Sequence, residues 1–208
     1  MATGTILPPA QAFGIGTPKQ LTNSDTLSSI SEPGLYVWAQ DGTSPSDIPF
    51  TYGRMIVIGR GATEFTQYYF NYDTGAMCSR RWNNGSWETM RWTSPPMVAG
   101  TEYLLSEQYL GNDVYCKTIT DSVTADVDKT FIFASGRASR GLILRHNVFG
   151  QLSSTNWIQT PFVDTNNTIT SRAFCTGSGT PTLWSLRIVV SSNKDLSNVN
   201  ATLWYTKG

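Results

Sequence analysis

A chain of 208 residues with 14% charged and 12% aromatic side chains is too apolar to stay disordered, and it is long enough to bury most of its unfolded surface without disulfides. Fifteen basic residues balance 15 acidic ones, so charge alone favours neither a nucleic acid nor an anionic membrane as partner. Cys78, Cys116 and Cys175 are widely spaced with no CxxC, and read as small buried hydrophobes in a protein made in a reducing compartment.

No basic residue precedes an apolar core at the start, and the longest aliphatic run is Met55 to Ile58, so neither a signal peptide nor a membrane-spanning helix is expected. Asn-x-Ser/Thr matches at Asn84, Asn166 and Asn200 carry no weight in a chain this rich in those residues. Apolar residues almost never recur at helical spacing, whereas short β-branched and aromatic runs between turn signals recur throughout, which predicts an all-β fold. The exception is 24–30, a turn or two of helix that Ser24 or Asp25 is placed to cap before Pro33-Gly34 ends it.

Strands are then predicted at 35–39, 54–59, 65–72, 76–82 and 87–93, with a polar loop at 40–49. Asp73-Thr74-Gly75 turns one hairpin, and Asn83-Asn84-Gly85-Ser86 turns the next, because Asn-Gly accepts the positive φ values of a type I′ turn. The Pro- and Gly-containing stretch 93–100 has the composition of a boundary. Residues 1–12 read as an extension, 13–97 as a small antiparallel domain and 98–208 as a β-sandwich or jelly roll. In the last, 103–110 and 114–119 flank a turn at Gly111-Asn112-Asp113, and strands follow at 129–134, 141–146, 154–159, 168–175, 183–190 and 201–205.

A single histidine, His146, cannot make a two-His metal site, and Asp126 with Asp128 offers too few oxygens for Ca²⁺. There is no Gly-x-Ser-x-Gly elbow, and Gly14-Ile15-Gly16 and Gly59-Arg60-Gly61 lack the third glycine of a nucleotide loop, so no cofactor or metal is expected. Two placed carboxylates, all that a glycosidase requires, are not something a sequence excludes. The positive signal is seven Trp and nine Tyr in a neutral, hydroxyl-rich chain, since flat rings stack on the apolar faces of sugars. Trp82, Trp87 and Trp92 read first as core, while Trp157, Trp184 and Trp204 fit either role. Arg137, Arg140, Arg145 and His146 form a local basic cluster, either a solvated face or a reader of acidic sugars or phosphates.

Pro33-Gly34-Leu35-Tyr36, the strand Met55-Ile56-Val57-Ile58, Gln67-Tyr68-Tyr69 and the ending Arg80-Arg81-Trp82-Asn83-Asn84-Gly85-Ser86-Trp87-Glu88-Thr89-Met90-Arg91-Trp92 together resemble the knob domain of phage tail fibres and R-type pyocin fibres, over about 13–93. Glu102-Tyr103, Glu107, Tyr109, Gly111 and Val114-Tyr115 resemble the strand pair that opens the C-terminal receptor-binding domain of such fibres. The resemblance implies a homotrimeric, non-enzymatic adhesin at the distal end of a virion or tailocin, synthesised in the bacterial cytoplasm. It implies attachment to lipopolysaccharide, capsule or an outer-membrane protein, and to an upstream fibre or baseplate protein through the N-terminus, with no nucleic acid and no membrane insertion. Residues at predicted strand ends and turns of the tip, Arg137, Arg140, His146, Asn147, Trp157, Asp164 and Asn166, are the expected receptor contacts. A depolymerase or deacetylase acting on the same glycan, and a structural adaptor, are the alternatives.

Overall fold

The structure, a computed structural model, describes residues 17–38, 45–47, 49–59, 62–123, 128–135, 142–151, 157–159, 162–163, 167–176, 183–192 and 195–207, and only the backbone of 128–135, 157–158, 162–163, 167–176 and 183–192. The chain divides into two compact units, Met1–Pro96 and Met97–Gly208. Both are all-β, as the short β-branched and aromatic runs predict, and a single 3-10 turn at Leu27–Ser29 is the one helical element among the described residues.

The first unit contains β1 (Lys19–Gln20), β2 (Gly34–Trp38), β3 (Gly53–Gly59), β4 (Glu64–Asn71), β5 (Met77–Asn83), β6 (Ser86–Trp87) and β7 (Arg91–Ser94). β2 to β5 form an antiparallel meander, and the short β1, which the sequence pattern does not announce, adds to β2 in parallel. Alternation places Tyr36, Trp38, Met55, Val57, Phe65, Tyr69 and Cys78 on one face, where Leu21 and Leu27 complete the core. Each such side chain removed from water contributes about 1.5–3 kcal/mol. Trp82, Trp87 and Trp92 are partly buried against that core. The Trp87 ring packs edge-on to Phe65 and Trp82, at 5.3 Å between centroids in each case. Gly53 is needed here, because a Cβ at that position would lie 2.2 Å from Cζ2 of Trp38.

Two expectations change in this unit. The strand predicted at 87–93 is broken in two, because four steps from Trp87 to Arg91 must match three from Trp82 to Ser79 on β5, and the surplus residue leaves the ladder at 88–90. The helical segment predicted at 24–30 shrinks to Leu27–Ser29, and neither Ser24 nor Asp25 caps it. The cap comes from Asp47, whose Oδ1 accepts the Leu27 N–H (2.7 Å) and whose Oδ2 accepts that of Ser28 (3.0 Å). Asp25 instead accepts the backbone N–H of Thr22 at 2.7 Å, a bond that lowers its carboxyl pKa.

Asp47 also links the 3-10 turn to the sheet. Its Oδ2 lies 3.2 Å from a guanidinium nitrogen of Arg80, and Arg80 Nε donates to Oε1 of the fully buried Gln67 at 3.0 Å. That Oε1 also accepts from the Tyr69 hydroxyl, while Gln67 Nε2 donates to the carbonyls of Leu27 (2.6 Å) and Ile30 (2.7 Å). Both donors and both acceptor positions of the buried amide are therefore occupied. The Arg80 guanidinium lies 4.2 Å from the centre of the Trp87 ring. Asp47→Ala is expected to cost about 2–4 kcal/mol, since it leaves two N–H groups and a half-buried guanidinium without their acceptor. Asp25→Ala should barely move the unfolding midpoint in urea, with tryptophan fluorescence reporting both variants.

The second unit contains β8 (Glu102–Tyr109), β9 (Asn112–Val123), β10 (Asp128–Ser135), β11 (Ile143–Gln151), β12 (Trp157–Gln159), β13 (Phe162–Val163), β14 (Asn167–Thr176), β15 (Leu183–Ser192) and β16 (Leu196–Thr206). They form two antiparallel sheets, β8-β9-β16-β11-β12 and β10-β15-β14-β13, which meet where β10 follows β9 and where β11 lies beside β14. The all-β class is as expected, and β13 is a strand that the sequence pattern does not announce. β16 is longer than the predicted 201–205 and is buried at Leu196, Val199, Ala201, Leu203 and Tyr205, and also at Thr202 and Thr206 on its other face. A strand covered on both sides loses simple alternation, which is why the pattern marks only part of it.

The hairpin joining β8 and β9 turns at Leu110-Gly111, with Asn112 already paired to Tyr109, and not at the predicted Gly111-Asn112-Asp113. Leu110 and Gly111 both take positive φ, +49° and +77°, as Asn84 and Gly85 do at +46° and +98°. A branched side chain resists that conformation, and the Leu110 side chain is 80% exposed. Leu110→Asn restores the favoured turn pair and is expected to stabilise this unit by about 1 kcal/mol, read as a rise of roughly 3 °C in melting temperature.

Candidate functional site

Alternate residues of β11 share a face, and its register with β12, β16 and β9 lays out a grid across the five-stranded sheet. One row runs Gln159, Phe149, Asn200, Thr120, and the next contains Asn147, Thr202 and Thr118. Trp157 occupies the register position opposite Gln151. The Phe149 ring is 41% exposed and stands between two amide-bearing neighbours.

The amides are held in place by one another. Gln159 Nε2 donates to Asn147 Oδ1 at 2.8 Å, and Thr120 Oγ1 donates to Asn200 Oδ1 at 2.9 Å. Asn200 Nδ2 donates to the Asn198 carbonyl (3.2 Å), and Asn198 Nδ2 to Gln151 Oε1 (2.7 Å). Asn198 has φ +48° in a bulge, where three steps from Leu196 to Val199 face two from Val123 to Asp121. In the next row of the same face, the buried hydroxyls of Thr118 and Thr202 share a hydrogen bond of 2.8 Å. The surface presents oriented neutral donors and acceptors around a ring.

The expected contact residues fall unevenly. Asn147 lies in the grid and Trp157 at its edge, both on strands. His146 is in the interior of β11, not at the strand end that the predicted 141–146 implies, because the strand continues to Gln151. It occupies the opposite face from Asn147, in register with Leu203. Arg145 is separated from His146 in the same way; it pairs with Glu107 at 3.0 Å and lies 4.8 Å over the Trp204 ring. Arg137, Arg140, Asp164 and Asn166 lie outside the described residues. Sequence reasoning missed Phe149, Gln151, Gln159, Asn200 and Thr120. The period-two run Asn147, Phe149, Gln151 is the available signal, masked by Asn147 and Gly150, which are poor strand formers.

Two ionisable groups of this sheet, Cys116 and Tyr205, are shifted towards their neutral forms. Burial pushes the Cys116 thiol up to about 12, and does the same to Cys78 in the first unit. Burial, and then its hydrogen bond to Glu102, raise the Tyr205 phenol as well. Glu102 also pairs with Lys207, whose ammonium lies 4.1 Å from the Tyr115 ring centre. A nucleophilic cysteine needs the opposite shift. Among the described residues no three His, Cys, Asp or Glu side chains converge as metal ligands.

Fold and site together define an all-β protein with a preorganised polar surface on one sheet of its second unit. No protein-family model matches the chain, and no curated protein does. Among solved structures it is similar to the P. aeruginosa R1 pyocin fibre comprising C-terminal residues 323–701, at 13% identity and a TM-score of 0.34, over 94% of this chain and 69% of that one. It is also similar to the P. aeruginosa R2 pyocin fibre comprising C-terminal residues 323–691, at 13% identity and a TM-score of 0.31, over 92% and 68%. A third similarity is to an N-truncated R2-type pyocin tail fibre, at 13% identity and a TM-score of 0.30, over 92% and 100%.

The two thiols have a consequence for pH. Their ordinary value of 9.0 rises to about 12 in the folded chain, so above pH 9 the unfolded state releases protons that the native state keeps. The stability they contribute is complete below about 9 and falls by about 1.4 kcal/mol per pH unit per thiol on the way to about 12. Urea midpoints measured across this range should decline, and Cys78→Ala should remove one share of the slope.

Proposed function

We propose that this chain is a tail-fibre adhesin of a phage or tailocin, a homotrimer whose second unit binds a bacterial cell-envelope glycan such as lipopolysaccharide or capsule. The first unit, with its knob-like Arg80 to Trp92 ending, serves as the preceding domain and joins the tip to the rest of the fibre. The observation that carries the reading is the row Gln159, Phe149, Asn200, Thr120. A half-exposed ring offers a stacking face to a sugar, and amides and a hydroxyl on either side match its hydroxyl groups. Because these groups already hold one another, little side-chain freedom is lost on binding. Amides neither take up nor release protons near neutral pH, so the row is suited to holding a glycan and not to cleaving it. Three copies on one fibre turn a weak single contact into firm attachment through effective concentration.

Labelled protein, with its mass in solution determined alongside, is to be adsorbed to Gram-negative cells carrying progressively truncated surface polysaccharides. Binding by a trimer that disappears at one truncation supports the reading and identifies the glycan layer. Phe149→Ala should weaken adsorption at least about tenfold, with an unchanged melting temperature because the ring is exposed. Undiminished adsorption of that variant sinks the site, and shortening of purified polysaccharide or release of acetate would make the protein an enzyme.

A further inference from the structure

The first unit carries a hollow that its fold does not require. It measures about 270 Å³ and is bordered by Gln20, Trp38, Tyr52, Gly53, Arg54 and Tyr72. Trp38 is buried, its Nε1–H bound to the Phe50 carbonyl at 3.1 Å, and the missing Cβ of Gly53 lets the ring approach the strand. At the rim, Tyr72 is 68% exposed, and the Arg54 guanidinium carbon lies 5.1 Å from its ring centroid.

Among the described residues, Arg80, Arg81 and Arg145 each hold a carboxylate, whereas Arg54 holds only the face of Tyr72. Stacking on a ring fixes the plane of a guanidinium and leaves its N–H edge available, the geometry that grips a carboxylate or phosphate through two hydrogen bonds. Gln20 uses its Nε2 on the Leu21 carbonyl (3.2 Å), which leaves its Oε1 as an acceptor. The volume is just below that of pockets for drug-sized ligands, which start at about 300 Å³, and suits a single ring.

We propose that this hollow is a second ligand site, for a sugar ring bearing an anionic group, with Arg54 gripping the anion and the two tyrosines bordering the ring. The site is separate from the neutral amide row of the second unit and does not depend on the reading given to it. The intact chain is to be titrated with D-glucuronate, D-glucose 6-phosphate and D-glucose, with binding followed by ligand-observed saturation-transfer NMR. Saturable binding of either charged sugar, at least about tenfold tighter than glucose, is expected, and the tighter of the two distinguishes a carboxylate from a phosphate ligand. Arg54→Gln should reduce the charged sugars to the level of glucose, and Tyr72→Ala should weaken all binding. Arg81→Gln, which removes a cation elsewhere on the same sheet, should leave binding unchanged. The proposal fails if glucose binds as well as the charged sugars, if neither charged sugar saturates, or if Arg54→Gln and Arg81→Gln act alike.

Discussion

Everything in the first unit is arranged around one buried amide. Gln67 sits within an apolar layer where an unsatisfied polar group would cost about 1–3 kcal/mol, and it is tolerated because the loop, the sheet and Arg80 converge on it. The same bonds that satisfy the amide hold the 3-10 turn over the core and keep Leu27 buried. Arg80 in turn is placed by Asp47 and by the faces of Trp87 and Tyr69. A loop that contributes little apolar area is thereby fixed to the sheet by directional bonds. Hydrophobic burial supplies most of the free energy, and the polar hub selects one arrangement of the layers.

Local chemistry was legible in the sequence wherever a local rule governed it. Asn84-Gly85 announced its turn, and the alternation of Phe65, Gln67 and Tyr69 announced a half-buried strand, even though Gln67 is its polar member. What stayed hidden depends on residues distant in sequence. Asp47 caps a turn 20 positions earlier, as its hydrogen bond to Leu27 shows, and no spacing rule points to it. The site was hidden for a related reason. Asn147 was within reach, but Phe149 gains its meaning only when β16 and β12 bring Asn200 and Gln159 to either side of it.

The two units present different chemistry on the same kind of scaffold. In one, a guanidinium stacked on a tyrosine borders a hollow; in the other, neutral amides surround a phenylalanine on an open strand face. Both surfaces pair an aromatic ring with groups of fixed orientation. Rigid strands supply that orientation more reliably than loops, because each side chain is set by the pleat and by its cross-strand partner.

The place of β16 bears on how the protein is made. This strand lies between β9 and β11, so the central ladder of its sheet is completed by the last strand of the unit to leave the ribosome. The meander of the first unit pairs neighbours in sequence and can form during synthesis. The second unit must wait, with the flanks of β9 and β11 unpaired on the side that β16 will fill. A nascent chain in that state exposes two unpaired strand edges, an aggregation hazard that ends only when β16 pairs with both.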